Sequence, residues 1–481
     1  MAGRPPGRAR RRAACPAGSG ARRSRRAHPG RHVTRVRVAA GETFRSLRVR
    51  NFRLFFTGQL ISQIGNWLTL VTQTLLVLKL TNSGIALGAL AAAQFGPVLV
   101  LGPWAGLVAD RSDKRRLLLI VQTIAMAQSF ALAALAFSGH PPVLAVYAVA
   151  LVGGLTVSFD NPARRAFVSE MVPETDINNA VSLNSALMTS SRVVGPALAG
   201  LLVVTVGFGW CFLADGLSYL AVLAGLWMIR SGELRTAPVT AKAKRQVRAG
   251  LRYARNVPQL WAPLMMMAVV GTLSYNFQTV FPLFTTRDLH GTGTTYPLLF
   301  SVVSLGALAG ALGTARRRSI SVRAVALSAV GYGVAMALMA VAPNQATAFA
   351  AGVVLGVTSI AFLTASTAIV QIEAAPEMRG RVLALQAMLF LGSTPIGGPI
   401  VGLISQQLGA RYAIGLGALA ALGAGAWGLA KARGAVPRML TVSQVGEATA
   451  GALRENATGV PAIRTAPAPS PVDAELGARV S

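Results

Sequence analysis

Three ionisable side chains lie within or beside long apolar stretches, and their chemistry is that of binding protons or neutralising one another. Arg192 falls near the middle of one stretch, Asp215 about two turns into the next, and Asp160 at the end of an earlier one. Charges are costly in a hydrocarbon layer, so such residues usually face a polar path or a partner. A pairing of Arg192 with Asp215 across adjacent helices would make either a proton-sensitive switch or a static bridge, and Asp160 is interpreted first as an edge residue.

Other reactive groups offer no catalytic or metal-binding cluster in the sequence. There is no glycine-rich phosphate loop followed by Lys and Ser or Thr, which disfavours ATP-driven chemistry. The histidines and cysteines are scattered over tails, outer loops and one span end: His28, His32, His140, His290, Cys15 and Cys211. We therefore predict no enzyme activity, no cofactor, no metal site and no disulfide.

The apolar stretches themselves predict an all-α membrane protein. The chain has 481 residues, of which 53% are hydrophobic and 13% charged, and the apolar residues arrive in blocks. Because a block of about 20 apolar residues crosses a bilayer, we predict twelve transmembrane helices, named span one to span twelve. Their predicted bounds are 54–79, 84–108, 117–138, 143–160, 177–204, 208–229, 260–284, 295–314, 324–341, 346–371, 382–408 and 412–430.

Basic residues between the spans predict which side of the membrane each loop faces. They cluster in alternate loops, at 111–116, 164–165, 230–255, 316–323 and 379–381, whereas the other loops carry only Lys79, Arg287 and Arg411. This alternation predicts a bacterial inner-membrane protein with both termini in the cytoplasm. The formal net charge of +30 is spread over loops and the amino-terminal tail rather than one compact face, so we predict no nucleic-acid partner.

The order of tails, spans and linker predicts the domain organisation. We expect a disordered basic tail at 1–50, a six-helix half at 51–229, a cytoplasmic linker at 230–259, a second six-helix half at 260–432 and a disordered tail at 433–481. An alternative for the first tail is that the true start lies near Val36 or Val38. Within the linker, Val247, Leu251 and Ala254 share one helical face, which predicts either a helix on the membrane surface or a solvated connector.

The two halves repeat short stretches at a constant spacing. Pro173-Glu174 recurs as Pro376-Glu377, and Gly195-Pro196 recurs as Gly398-Pro399, so each pair of prolines is 203 positions apart. The repeat predicts two pseudo-symmetric halves. Duplicated membrane halves of this kind place a substrate site at their interface, and one half rocks against the other.

The loop between span two and span three carries an acid and a basic run at a distinctive spacing. It reads Gly106-Leu-Val-Ala-Asp110-Arg111-Ser-Asp113-Lys-Arg115-Arg116. This loop resembles the signature of the major facilitator superfamily, except that Asp113 replaces a glycine. The resemblance implies a conformational latch on the cytoplasmic side, formed against span eleven near Arg381 by Gly106, Asp110, Arg111, Arg115 and Arg116.

Prolines and small residues in span five resemble the exporter motif of the same superfamily. Gly195-Pro196 and Gly200 match it, while Ser191 and Ser182 occupy positions where the motif has glycines. Ordinary small-residue packing is the alternative explanation. Asn161-Pro162-Ala163-Arg164-Arg165 and Gly380-Arg381 are similar to stretches of the subgroup that holds enterobactin exporters and drug efflux pumps. That resemblance spans 44–432 and implies export of siderophores, antibiotics or similar molecules by proton exchange.

Two sets of polar side chains lie within otherwise apolar spans. Span one carries Gln59, Gln63, Asn66 and Gln73 at helical spacing, and span seven carries Ser274, Tyr275, Asn276 and Gln278. Both sets predict a central cavity for an amphipathic, largely neutral molecule. Hydrogen bonding between helices is the alternative.

Together these observations predict a monomeric secondary exporter of small organic molecules that is coupled to protons and embedded in the lipid bilayer. An uptake carrier of the same fold and a non-transporting membrane sensor are the alternatives. Span four, as predicted at 143–160, holds no arginine of the kind that many proton-coupled drug antiporters carry. That absence counts against proton coupling.

Overall fold

The computed structural model describes residues 43–235, 246–314 and 321–432. The predicted tail at 433–481, most of the tail at 1–50, part of the linker and the basic residues at 316–318 lie outside the described residues. Within the described ranges the secondary structure is helical, with no strand.

The helices coincide with the predicted spans, and the predicted all-α membrane fold is confirmed. Eleven helical segments of the described chain are long and apolar enough to cross a membrane, and a shorter apolar helix, Thr295–Ala311, lies where span eight is predicted. Spans one to six are Arg50–Thr81, Gly84–Arg111, Lys114–Phe137, Val143–Glu170, Ile177–Thr205 and Phe208–Met228. Gln246–Asn256 is a linker helix, and spans seven to twelve are Pro258–Leu273 with Phe277–Leu283, Thr295–Thr314, Val322–Ala340, Gln345–Glu373, Pro376–Leu391 with Thr394–Gln407, and Ala410–Ala432.

Helix packing follows the sequence repeat. Span one packs on span six, two on four, three on six and one on five, and the same pairings recur six spans later. The halves meet through two further pairs, span two with span eleven and span five with span eight. This pattern is that of two pseudo-symmetric six-helix halves.

Several spans begin, after a short loop, at a polar residue whose side chain caps the first turn of the helix. Ser83 accepts a hydrogen bond from the Ala86 N–H at 3.4 Å, and Asp113 accepts one from the Arg116 N–H at 3.1 Å. Asp113 has a φ of −62°, so this position does not require a glycine. The departure from the family signature therefore places a helix cap at the start of span three.

The linker helix packs against the start of span eleven. Ala254 is buried, and the Tyr253 hydroxyl accepts a hydrogen bond from the Ala375 N–H at 3.0 Å. Gly250 lies beside Arg381, whereas Leu251 is exposed. One face of this helix is therefore held by the second half.

Span four is longer than predicted. Its helix continues to Glu170, past the predicted end at residue 160. Hydropathy falls where charges begin, yet Asp160 and Arg164 form an ion pair inside the bundle and both side chains are buried. Because the pair neutralises itself, the helix carries both charges below the surface.

Spans seven and eleven are each interrupted near their middle, which was not predicted. Span seven leaves the helical conformation between Leu273 and Phe277, and span eleven does so at 392–393. The two interrupted helices approach closely, since a Cβ added to Gly271 would lie 2.9 Å from Ser393 Oγ. The equivalent helices of the first half, spans one and five, are continuous.

Candidate transport pathway

A polar pocket lies within the first half, enclosed by spans one, two, three, four and six. Its empty volume, including the mouth, is about 610 Å³. The polar side chains in its wall are Asn66, Thr69, Gln73, Gln94, Gln122, Gln128, Thr156, Asp160 and Tyr219. Asn66 and Gln73, which were predicted to line a cavity, lie in the wall of this pocket.

Hydrogen bonds to neighbouring helices hold several of the polar side chains predicted on span one. The Gln73 amide donates to the Val146 carbonyl at 3.3 Å and accepts from the Gln94 amide at 2.9 Å. Gln63 is assigned with its amide oxygen toward Arg164, because that oxygen then accepts from the guanidinium. Gln59 is 1% exposed and its amide nitrogen has no partner among the described residues.

Asp160, which lines this pocket, forms a buried ion pair with Arg164. Their side chains are 9% and 6% exposed and form a salt bridge one turn apart along span four. The Gln122 amide donates to Asp160 Oδ1 at 2.7 Å, which joins span three to the pair. The interpretation of Asp160 as an edge residue is therefore replaced by a buried ion pair, and span four does contain an intramembrane arginine.

Asp215 has a different set of partners. Its Oδ2 accepts hydrogen bonds from the Thr69 and Ser129 hydroxyls, each at 2.7 Å, so it links spans one, three and six. The carboxylate is 1% exposed. The expected pairing of Asp215 with Arg192 is not formed, because hydroxyl groups occupy the carboxylate.

Arg192 lies between the halves instead. Its guanidinium carbon is 5.6 Å from the ring centroid of Trp67 in span one and 5.8 Å from that of Phe300 in span eight. The residue is half-buried, and its Nε is buried without a hydrogen-bond partner among the described residues. This arginine therefore touches both halves at the level of mid-span five.

The predicted polar residues of span seven lie at its interruption. The Ser274 hydroxyl donates to the Gly417 carbonyl at 2.7 Å, and the Tyr275 hydroxyl donates to the Ser359 carbonyl at 2.6 Å. Asn276 donates to the Thr272 carbonyl at 2.6 Å but leaves its buried Oδ1 without a partner, and Gln278 is half-buried. Backbone groups released from a helix in this way often face a ligand in transporters.

Aromatic rings surround the interruption. Tyr275 stacks on Tyr332 with centroids 5.0 Å apart, and Phe390 of span eleven meets Tyr275 edge-on at 5.0 Å. We call Trp67, Arg192, Tyr275, Phe300, Tyr332 and Phe390 the aromatic chamber.

The halves are in close contact at the end of the bundle that carries Asn82. The Gly84 N–H donates to the Gln406 side chain at 2.8 Å, and Arg287 donates to the Asn82 carbonyl. A Cβ on Gly88 would lie 2.7 Å from the Gly398 carbonyl oxygen and 2.8 Å from Pro399 Cα. Spans two and eleven thus touch backbone to backbone at this end, the Asn82 end.

The glycines of the span-five motif lie where span five packs against spans one and eight. Gly195 precedes Pro196 and packs against the backbone of span one at Ile64. A Cβ added to Gly200 would lie 2.9 Å from the Cβ of Pro297 in span eight. The two Gly-Pro motifs therefore lie in spans that join the halves.

Spans two and eleven also reach the opposite end of the bundle, which carries the basic loops and which we call the basic end. A Cβ added to Gly102, Gly106 or Gly380 would meet no atom within 4 Å. Arg111 is exposed there and Asp110 is half-buried. Among the described glycines, those at the Asn82 end therefore bring spans two and eleven together, and those at the basic end make no such contact.

Comparison with known proteins agrees with this architecture. A family model for transmembrane secretion effectors of the major facilitator type matches residues 41–449. The chain belongs to this major facilitator family. It is a multi-pass membrane transporter of the efflux type and not an enzyme.

Two relatives and one solved structure illustrate the family. The staphyloferrin A transporter of Staphylococcus aureus is 23% identical over 364 residues, which cover 74% of this chain and 90% of the relative. Macrolide efflux protein A of Streptococcus pyogenes is 23% identical over 374 residues, which cover 75% and 91%. A bacterial homologue of the human lysosomal transporter Spinster, inward-facing and occupied, shares the fold with a TM-score of 0.63 at 15% identity, over 81% of this chain and 97% of that one.

Arg115 of the major facilitator signature is engaged within the first half. Its guanidinium donates to the carbonyls of Leu226 and Trp227, each at 2.8 Å, and to the Ser231 hydroxyl at 2.7 Å. These carbonyls are among those that the end of a helix leaves unpaired. Arg115 therefore caps span six in this conformation.

Removing this cap should destabilise the protein. We expect Arg115→Ala to lower the free energy of unfolding by about 2 kcal/mol, because hydrogen bonds to a charged donor are lost. Arg116→Ala is the control, since Arg116 is exposed and pairs only locally with Asp113 at 3.6 Å. Thermal unfolding of both purified variants measures the difference, and equal midpoints would contradict the capping role.

Several residues of the pathway were not singled out from the sequence. Thr69, Ser129 and Gln122 are ordinary polar residues of apolar spans, and only the fold brings them to Asp215 and Asp160. Arg164 was assigned to a loop because it follows the hydropathy boundary. Its position one turn after Asp160 was the available signal, since opposite charges at that spacing share a helix face.

Proposed function

We propose that this major facilitator protein exports small organic molecules from a bacterial cytoplasm in exchange for protons, by alternating access. The observation that carries the proposal is the buried ion pair of Arg164 with Asp160, a residue in the wall of a polar pocket. An ionisable pair at that depth offers a carboxylate that can take up and release a proton. We further propose the plasma membrane as its location, with both termini cytoplasmic and a monomer as the working unit.

The packing of the halves supports alternating access. Glycines of spans two and eleven pack closely at the Asn82 end, whereas a Cβ added to Gly102, Gly106 or Gly380 near the basic end would meet no atom of the described residues within 4 Å. We take this difference as the sign of a bundle that is open at the basic end. In the proposed orientation this is the conformation open to the cytoplasm. Closing the basic end, with Asp110 and Arg111 against span eleven, would produce the opposite conformation.

The surroundings of Asp160 support a role in coupling. Protonation would remove the negative charge that holds Arg164, and Gln63 and Gln122 are placed to receive the freed guanidinium and the neutral acid. Tyr219 of span six lines the same pocket as Asp160. A proton at Asp160 would thereby rearrange contacts among spans one, three, four and six.

The relatives support the class of cargo. One is named for a siderophore and the other for macrolide efflux, and each matches most of this chain. Molecules of both kinds are organic and much larger than an inorganic ion. The aromatic chamber between the halves suits such a body.

Transport assays in cells test this proposal. The full chain is expressed in a bacterium lacking its own efflux pumps, and accumulation of a panel of dyes and macrolides is followed with and without a protonophore. We expect lower accumulation of at least one compound, and we expect the protonophore to abolish the difference. Unchanged accumulation across the panel, or export indifferent to the protonophore, would contradict proton-driven export.

A further inference from the structure

No acidic side chain among the described residues neutralises the charge of Arg192. Asp160 pairs with Arg164, and Asp215 accepts from Thr69 and Ser129. Among the described residues, Arg192 makes no hydrogen bond and no ion pair, and only aromatic rings face its guanidinium. An uncompensated cation at mid-span is costly unless something else supplies the negative charge.

We propose that the transported molecule supplies that charge, as a carboxylate that binds Arg192. This inference rests on the proposed export function and names the class of its cargo. A guanidinium presents parallel N–H groups that match the two oxygens of a carboxylate. In this proposal the prediction of a largely neutral cargo gives way to that of a cargo that carries a carboxylate.

The aromatic chamber identifies the rest of the molecule. Trp67 and Phe300 flank the guanidinium, and Tyr275, Tyr332 and Phe390 form a stacked group at the interruption of span seven. Tyr275, Trp67 and Arg192 are half-buried although they lie far from the ends of their spans. Exposure at that depth indicates an open cavity, and its walls favour a flat or aromatic body.

The position of the chamber explains how such a cargo would influence the halves. Trp67 and Arg192 belong to the first half, whereas Tyr275, Phe300 and Phe390 belong to the second. A carboxylate on Arg192 whose ring lies against Tyr275 contacts both halves at once. Binding then favours conformations in which the halves are close around the cargo.

A binding experiment with matched acids and esters tests the inference. The purified full chain in lipid nanodiscs is titrated with rhodamine 110, which has a free carboxylate, and with rhodamine 123, its methyl ester. Fluorescein and fluorescein methyl ester form a second pair, and fluorescence anisotropy gives each Kd. We expect each acid to bind at least about tenfold more tightly than its ester, as for a hydrogen bond to a charged group.

Variants of Arg192 assign the preference. Arg192→Gln should remove the preference for the acids and leave the Kd of the esters within about twofold, whereas Arg192→Lys should keep part of it. Arg255→Gln is the charge-matched control, since Arg255 is exposed on the linker helix, outside the aromatic chamber and the expected latch, and should leave the preference intact. The esters also report whether the Arg192 variants remain folded.

Each result decides between the inference and its rejection. Equal binding of acid and ester, no binding of either acid, or a preference that persists in Arg192→Gln would overturn the carboxylate assignment. No proton gradient is present in this experiment. A failure of proton coupling in cells therefore leaves it unaffected, and an exporter without acid preference would reject this inference alone.

Discussion

Asp160→Asn should abolish proton-driven efflux. Asparagine keeps the size of the side chain and its contact with Gln122, but it cannot carry a proton and it leaves Arg164 as an unpaired buried charge. Breaking a buried ion pair by neutralising one partner costs roughly 3–5 kcal/mol, so the single variant is expected to fold less well. Uptake of a transported dye into inverted vesicles under an imposed proton gradient measures the activity.

The double variant Asp160→Asn with Arg164→Gln separates coupling from folding. Replacing both charges removes the unpaired arginine, so the thermal stability should largely return. If the pair exchanges protons, gradient-driven transport stays absent while the dye still binds. Recovery of gradient-driven transport in the double variant would show that the pair only holds the helices together.

A second buried pair provides the control. Lys114 and Glu170 also join spans three and four, at 2.8 Å with side chains 10% and 7% exposed, but they lie outside the polar pocket. Lys114→Gln with Glu170→Gln should therefore retain gradient-driven transport. Loss of transport in both double variants would indicate a general effect of buried charge.

Gly402→Val should shift the protein away from the conformation described here. A Cβ at Gly402 would lie 3.2 Å from the Gly84 carbonyl carbon and 3.3 Å from Gly88 Cα, both backbone atoms of span two. Overpacking of this kind costs about 1–3 kcal/mol, which changes a two-state ratio by roughly 5- to 150-fold. Contact at the Asn82 end should be lost in favour of a conformation open there, and transport should nearly stop.

Cysteine labelling from each side of the membrane measures this shift. Gly96→Cys, in a chain without Cys15 and Cys211, reports from span two where an added side chain meets no neighbour. An impermeant maleimide should label it from the basic end in the parent, and from the Asn82 end once Gly402→Val is added. Gly415→Val is the control, because a Cβ at Gly415 also meets no atom within 4 Å. Unaltered labelling in Gly402→Val would refute the contact as a gate.

The sequence predicts helices better than it predicts partners. Runs of apolar residues are a local property, so spans such as Thr295–Thr314 and Ile177–Thr205 lie within one residue of their predicted bounds. The same method places the end of span four too early. It ends the helix at Asp160 because it assumes that this charged residue faces water. Its pairing with Arg164 and Gln122 depends on tertiary structure.

The candidate site was predicted in part for the same reason. The spacing of Gln63, Asn66 and Gln73 correctly places them on one side of span one, but spacing alone does not say which neighbour they face. Likewise, Arg192 and Asp215 lie on consecutive spans, but the Asp215 side chain faces Thr69 and Ser129 and accepts hydrogen bonds from them. Residues 274–276 include no proline that would explain the interruption of span seven. The interruption lies where span eleven approaches closely.

The interruption of span seven bears on how this protein tolerates change. Between Leu273 and Phe277 the main chain leaves the helical ladder, and its amide and carbonyl groups become contact points that every residue type shares. Point substitutions in the surrounding rings can then retune which cargo is accepted without erasing the foothold that the backbone provides. Descendants that keep this helix break could therefore diverge in cargo through single substitutions in those rings.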